Sequence, residues 1–442
     1  MIAGTNKPNL NTAVFKHLRK RIRELQARFN RRYSRAWIIA ITGSSGKTTS
    51  VALLAHILSG QGNVLSQSVG NGFRDAVLTL RRLKRADKFV VLEQGTEAPG
   101  QLPKSAALIK PDIAIVTLVA LEHFTAFRTL DAVAQEKAAF VRTLPPKGLA
   151  ILNFDDPQCR AIAGLTEARC VFFGVEGGEY RATELNTSTD GHLDFLLSCR
   201  HGRIPLRTKL IGKHNWLSVA SAVTCALELG VPVNAIVEKV ASFTPVGGRM
   251  SVHRLNGRKF ILDTVKAPFH SIGLPLETLR TIAATKKRFI LGQISDYRGN
   301  STKKYRDTYL AAAKIADEVC FVGATANKAR APRQDIETGK FRAFTSVEAL
   351  AKHLKATAKE GEVIVVKSAR NLHLERLMLD AVEPVRCWPN ECGNKISCVD
   401  CGLFGAAFQE HAGRPSAKRH DLTRSELPTR HPQPHCIRNR HL

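Results

Sequence analysis

The residues with the clearest chemical use lie in Thr42-Gly-Ser-Ser-Gly-Lys-Thr-Thr49. Gly43 and Gly46 let the backbone turn its N–H groups inward on an anion, and a helix starting just after them presents its positive end to the same charge. Lys47 is placed to reach terminal phosphates and the Thr48 hydroxyl to hold magnesium, with Ser44, Ser45 and Thr49 completing the predicted phosphate-binding set. The spacing Gly-x-x-Gly-Lys-Thr lacks the glycine that the general phosphate loop carries five residues before Gly46, where Ile41 stands. Three more candidates follow. Glu93 ends the apolar run Phe89-Val-Val-Leu92, His123 lies just past Asp112-Ile-Ala-Ile-Val-Thr117, and Lys137 sits in the helical pattern Asp131 to Ala139. Taken singly, each has an ordinary reading: a solvated strand end, a structural histidine, a surface lysine. Near the carboxyl end, Cys387, Cys392, Cys398 and Cys401 have the number needed for a tetrahedral zinc site. Their irregular spacing equally suits a loose, reduced tail.

Positioning these residues requires a strand, a tight loop and a helix in succession. The run Trp37-Ile-Ile-Ala-Ile41 reads as a buried strand, and Val51, Leu54, Ile57 and Leu58 are spaced as one helix face. Further strands are expected at 88–93, 112–117 and 148–153, with a helix over 130–144. Such alternation implies a mostly parallel sheet with helices on both faces. Residues 170–210 are rich in β-formers and turns and read as a small β appendage. Helices follow at 215–229 and 233–242. Asn256-Gly257 between two apolar runs marks a hairpin, and a second alternating block runs to about Val385. The predicted division is a basic amphipathic helix within 1–36, a phosphate-loop domain over 37–250, a smaller Rossmann-like α/β domain over 251–385, and a segment over 386–442 that carries the thiols and ends in a disordered basic tail from about Arg414.

The chain has 442 residues and a net charge of +28, which calls for a polyanionic partner or surface. Residues 1–36 alone hold ten Lys/Arg and one acid, Glu24. With five Tyr and three Trp in the whole chain and no recognisable nucleic-acid module, nucleic acid is not the expected partner. Phe15, Leu18, Ile22, Leu25 and Phe29 form one apolar face of a helix over 14–33, with basic residues on the others. That face suits either an anionic membrane surface or packing against the phosphate-loop domain. No apolar run reaches the ~20 residues needed to span a bilayer, and no signal peptide opens the chain. A cytoplasmic protein with its ten cysteines reduced is expected, peripheral at the inner face of the membrane if the helix meets lipid.

In combination, the motifs resemble the Mur ligases, the ATP-dependent amide-forming family that takes in folylpolyglutamate synthetase and cyanophycin synthetase. The resemblance rests on the phosphate loop, on Leu92-Glu-Gln-Gly95, on Thr117 to His123 with Lys137, and on Asn153-Phe-Asp-Asp-Pro157. Gly212-Lys-His-Asn215, Pro245-Val-Gly-Gly-Arg249 and Val366-Lys-Ser-Ala-Arg370 continue it in family order. It implies an ATP- and magnesium-dependent ligase that joins a carboxylic acid to an amino acid or amine through an acyl phosphate. Lys47 and Arg249 would face the γ-phosphate. Thr48, Glu93, His123 and a carbamylated Lys137 would hold magnesium, and Asn215 and Asp263 would meet the nucleoside. The resemblance also implies that the family's first domain, which binds a UDP-sugar, is missing, so a partner chain could supply a substrate site. A nucleotide-binding scaffold without transfer activity is the other open reading. Departures occur at Leu118 and Ser218, where relatives carry Asn, and across Leu262-Asp-Thr-Val-Lys-Ala267, which brings in Lys266.

Overall fold

The computed structural model describes residues 10–67, 70–121 and 126–411. His123 and the tail beyond His411 lie outside the described residues. The chain opens with α1 (Leu10–Tyr33), then enters β1 (Trp37–Thr42) and α2 (Lys47–Leu58). Successive crossovers give β2 (Asn63–Ser66), α3 (Phe73–Arg81), β3 (Asp87–Glu93), α4 (Gln101–Ile109) and β4 (Ile113–Val116). After them come α5 (Leu130–Lys137), α6 (Ala139–Arg142), β5 (Leu149–Asn153), α7 (Pro157–Ala163) and β6 (Arg169–Gly174). The expected helix over 130–144 is thus interrupted at Ala138, whose φ of −61° and ψ of −17° remain right-handed helical.

β1 shows why its sequence is apolar throughout. Ile39 and Ile41 pack with Val51, Leu54 and Ile57 of α2, while Ile38 and Ala40 pack with Ala76 and Leu80 of α3 and Leu102 of α4. A parallel strand covered on both faces has no polar side to alternate with. Residues 170–210 do not stand apart from this sheet. β6 pairs in parallel with β5, and β7 (Tyr180–Thr187), β8 (His192–Cys199) and β9 (Gly202–Ile211) extend it, giving the order β2-β3-β1-β4-β5-β6-β7-β8-β9. The β-rich segment expected as an appendage is the edge of the main sheet, covered by α8 (Trp216–Glu228) and α9 (Val233–Ser242).

The second sheet begins with the hairpin β10 (Ser251–Leu255) and β11 (Arg258–Asp263). Asn256 and Gly257 both have left-handed backbones, with φ of 50° and 69°, as the two-residue turn requires. α10 (Gly273–Thr281), β12 (Lys287–Leu291), α11 (Ser301–Ala313), β13 (Glu318–Val322) and α12 (Arg333–Glu337) follow. β14 (Phe341–Phe344), α13 (Val347–Ala356) and β15 (Val363–Lys367) complete the order β10-β11-β15-β12-β13-β14, parallel except at the hairpin.

The segment after Val385 is folded as far as His411. Arg376, 1% exposed, donates to the carbonyls of Leu372, His373, Cys387 and Pro389, and Arg370 Nη1 donates to Lys395 O at 2.8 Å. Cys387 and Cys398 are buried, Cys392 and Cys401 half-buried, and all four are free thiols. Among the described residues, the compact groups of metal-ligating atoms are Glu318 with Cys320 and His353, and His373 with Glu375 and Cys398. Neither gathers the four thiols, so the expected zinc site has no support. The second group is satisfied internally: His373 Nδ1 faces Glu375 Oε1 at 3.2 Å, its Nε2 faces Asn394 O at 3.1 Å, and Glu375 accepts the Cys398 N–H.

Candidate functional site

The phosphate loop sits at the carboxyl end of β1, where a doubly covered parallel sheet opens its ligand crevice. Both glycines are required sterically. A Cβ on Gly43 (φ 144°) would stand 2.0 Å from Thr117 Oγ1, and one on Gly46 (φ 80°) would stand 2.9 Å from Ser218 Oγ. Lys47 Nζ lies over the loop, donating to Gly43 O at 2.5 Å. The segment after β4 is pinned to the loop from several sides. Thr117 Oγ1 donates to Ser45 O at 2.6 Å, Ser44 Oγ bonds both the N–H and the carbonyl of Ala120 at 2.9 Å, and Ser44 N donates to Leu118 O at 2.7 Å. Leu118 thus contributes its backbone carbonyl, whatever its side chain. Asp156 Oδ2 accepts from Val119 N at 2.5 Å.

A cavity of about 610 Å³ opens over this loop between the two sheets. Ser44 to Thr49, Glu93, His214, Asn215, Arg249, Asp263 and Lys266 all line it. Arg249 reaches across, its Nη2 3.3 Å from Thr48 Oγ1, so a guanidinium from the far wall meets the hydroxyl of the loop. Glu93 Oε1 accepts from Asn71 Nδ2 at 3.2 Å, which fixes its direction at the end of β3. Asn215 donates to Ile211 O at 2.7 Å, and burial pushes neighbouring His214 down to about 4, leaving it neutral at pH 7. Asp263 is less free than its expected nucleoside role implies, because Lys367 Nζ bonds its Oδ2 at 2.5 Å and Lys266 O at 3.0 Å. Lys137 does not line the cavity. Its side chain is wholly buried on the last turn of α5.

Several contacts were not expected from the sequence, although Ser218 and Lys367 stand in the segments quoted above. Ser218 ties α8 to the loop through Gly46 O at 3.1 Å, and Asn71 and Lys367 orient the two carboxylates. The motif Val366-Lys-Ser-Ala-Arg370 contained the signal for Lys367. Its Arg370 points away, toward the segment after Val385.

The donor set fits a nucleotide phosphate chain with magnesium: a glycine cradle that admits no Cβ, a hydroxyl and a carboxylate for the ion, and two fixed cations. The Mur ligase middle domain matches residues 41–226, and the Mur ligase glutamate ligase domain matches residues 248–370. This chain belongs to the Mur ligase family. An Escherichia coli protein named UDP-N-acetylmuramoyl-tripeptide–D-alanyl-D-alanine ligase is 26% identical over 80% of this Mur ligase chain and 78% of its own length. The Buchnera aphidicola protein of the same name is 29% identical over 60% of this chain, which spans only 58% of that relative's length. The crystal structure of MurF from Acinetobacter baumannii superposes with a TM-score of 0.72 at 25% identity, covering 82% of this chain and 80% of that one.

Proposed function

We propose that this Mur ligase family chain is an ATP-dependent ligase that forms an amide between a carboxylic acid and an amino acid or amine, in the manner of its relatives that build peptidoglycan precursors. The observation that carries the reading is the convergence of Lys47, Thr48, Glu93 and Arg249 on one cavity walled by both domains. A carboxylate at neutral pH does not accept an amine. Transfer of the γ-phosphoryl group of ATP to the carboxylate oxygen gives an acyl phosphate and ADP. The amine then attacks the carbonyl carbon, phosphate leaves, and the amide remains once the amine has lost a proton. Charge accumulates on the phosphoryl oxygens in the first step, and preorganised cations at that point are the main catalytic device.

Lys47 and Arg249 supply that charge from opposite sides of the cavity. Thr48 and Glu93 would hold magnesium, which neutralises phosphate oxygens when bound. The neutral His214 and Asn215 border the nucleoside end. Lys266 lies on the second-domain wall of the cavity. Its presence, with the altered residues around it, fits an acid other than a UDP-muramoyl peptide, such as a lipid-linked or polymeric one.

The test is release of ADP and phosphate by the purified chain against a panel of acids and amines. Release that needs both an acid and an amine supports the ligase. Release that needs neither makes the chain a scaffold ATPase, and activity appearing only with a second chain makes it one half of a ligase. Lys47→Ala is expected to lower turnover about 100- to 1,000-fold, the usual loss of one such donor. Turnover close to that of the wild type would remove Lys47 from the mechanism.

A further inference from the structure

α1 is fastened to the body by one side only, and it is the polar side. Asn30 Nδ2 donates to Leu80 O and Arg81 O, both at 3.1 Å, and Arg31 donates to Ile109 O at 2.8 Å and Lys110 O at 2.6 Å. These four carbonyls belong to the carboxyl ends of α3 and α4, where the last turn of a helix leaves acceptors without partners. Ala27 is fully buried beside them, and Arg31 also pairs with Asp112 at 3.2 Å.

At 3.6 residues per turn, Leu18, Ile22, Leu25 and Phe29 fall on the side opposite Ala27 and Arg31. They are exposed: Leu18 by 51%, Ile22 by 45%, Leu25 by 64% and Phe29 by 63%, with Phe15 and Tyr33 at the two ends and Trp37 just beyond. The stripe from Phe15 to Tyr33 is about 27 Å long at 1.5 Å per residue. A continuous apolar face of that kind marks an interaction surface. Packing against the phosphate-loop domain, one of the two readings of this helix, does not cover it.

The charges beside the stripe decide what does. Its three-four spacing would also suit a coiled-coil seam with a second copy, but Arg19, Arg21 and Arg28 flank that seam with no acid on it to pair with them, and Gln26 instead accepts from Arg81 Nε of the body at 2.8 Å. Arg32 extends the same border. The helix's one acid, Glu24, lies half-buried toward the body. An apolar, aromatic-bearing face bordered on both sides by arginine is instead complementary to acidic lipid headgroups above a hydrocarbon boundary.

We infer that α1 is a membrane-surface helix that lays its outer face into the interface of an anionic bilayer. No described helix is long and apolar enough to cross a membrane, so the contact lies in the plane of the surface. The helix is anchored near the start of β1 and β4, and the phosphate loop lies where β1 ends. Lipid contact on the outer face of α1 therefore leaves the cavity at the opposite edge of the sheet open. The inference does not depend on the ligase reading.

The test is co-sedimentation of the full chain with vesicles of phosphatidylcholine alone or mixed with phosphatidylglycerol, at low and high salt. The chain is expected to bind the mixed vesicles, to leave the neutral ones in solution, and to bind less at high salt. Arg21→Gln with Arg28→Gln is expected to weaken partitioning about fivefold per residue. Leu25→Glu with Phe29→Glu is expected to abolish it while the circular dichroism spectrum stays that of the wild type. No binding to anionic vesicles at low salt, or equal binding to neutral ones, overturns the inference. A concentration-dependent dimer broken by Leu25→Glu with Phe29→Glu would give the face to a second copy of the chain instead.

Discussion

Lys137 is wholly buried on the last turn of α5, with Glu136 beside it. The carbamate that the family resemblance implies at this position would turn a cation into a carboxylate-like group. Glu136 works differently, since its carboxylate accepts from Gly100 N and Leu102 N at the start of α4. The two adjacent residues therefore separate into a helix cap and a candidate carbamate. Lys137→Ala is expected to be inactive and to recover part of its turnover when short-chain carboxylic acids are added, whereas Lys137→Arg stays inactive. An active arginine variant would show that a simple cation suffices at this position. The placement of Lys47 and Thr48 was legible in the sequence because the loop is shaped by its own backbone and its immediate neighbours. That of Ser218 was not, because its partner Gly46 lies 172 positions away and only the packing of α8 on α2 brings them together.

At the level of elements, Asn153-Phe-Asp-Asp-Pro157 acts as a clasp. Asp155 accepts from Val175 N and Glu176 N, while Asp156 caps α7 through Gln158 N and Cys159 N and holds Val119 N with its other oxygen. One short turn therefore fixes the strand after it and the segment that borders the phosphate loop. Asp156→Ala removes a helix cap, about 1 kcal/mol, and leaves a buried N–H at Val119 without its acceptor, about 1–3 kcal/mol. Hydrogen exchange is expected to quicken roughly ten- to hundredfold at Val119, Gln158 and Cys159. Amides of α8 should be unchanged. Uniform quickening across both elements would show that the whole domain, not the clasp, had been weakened. The periodicities that gave β1, α2, α9 and the Asn256-Gly257 hairpin are local, and the structure contains those elements. The orientation of α1 was not readable in that way. An amphipathic pattern says that a helix has two sides, and the carbonyls at the ends of α3 and α4 bind the polar one.

For the whole molecule, what the sequence left undetermined is how the two domains face each other, since both walls of the cavity depend on it. Asp190, in the turn between β7 and β8, reaches Lys259 Nζ at 2.7 Å and Arg254 at 3.1 Å on the hairpin of the second domain. Hydrogen bonds from Lys259 and Arg254 lower its carboxyl to about 2 from an ordinary 3.8. The side chain is 51% exposed, so solvent screens the pair and the clasp contributes no more than about 1 kcal/mol. A carboxyl lowered in the folded state contributes fully above its ordinary value and loses that contribution as pH falls toward 2. Asp190→Asn is therefore expected to lower the thermal midpoint slightly at pH 7, with the difference from wild type shrinking below about pH 4 and in high salt. In the same variant, amides of the turn Ser188 to Gly191 and of β10 should exchange faster, while the cores of both sheets hold. A difference that persisted unchanged at low pH and high salt would mean that the packing of the turn, rather than its charge, keeps the second domain over the phosphate loop.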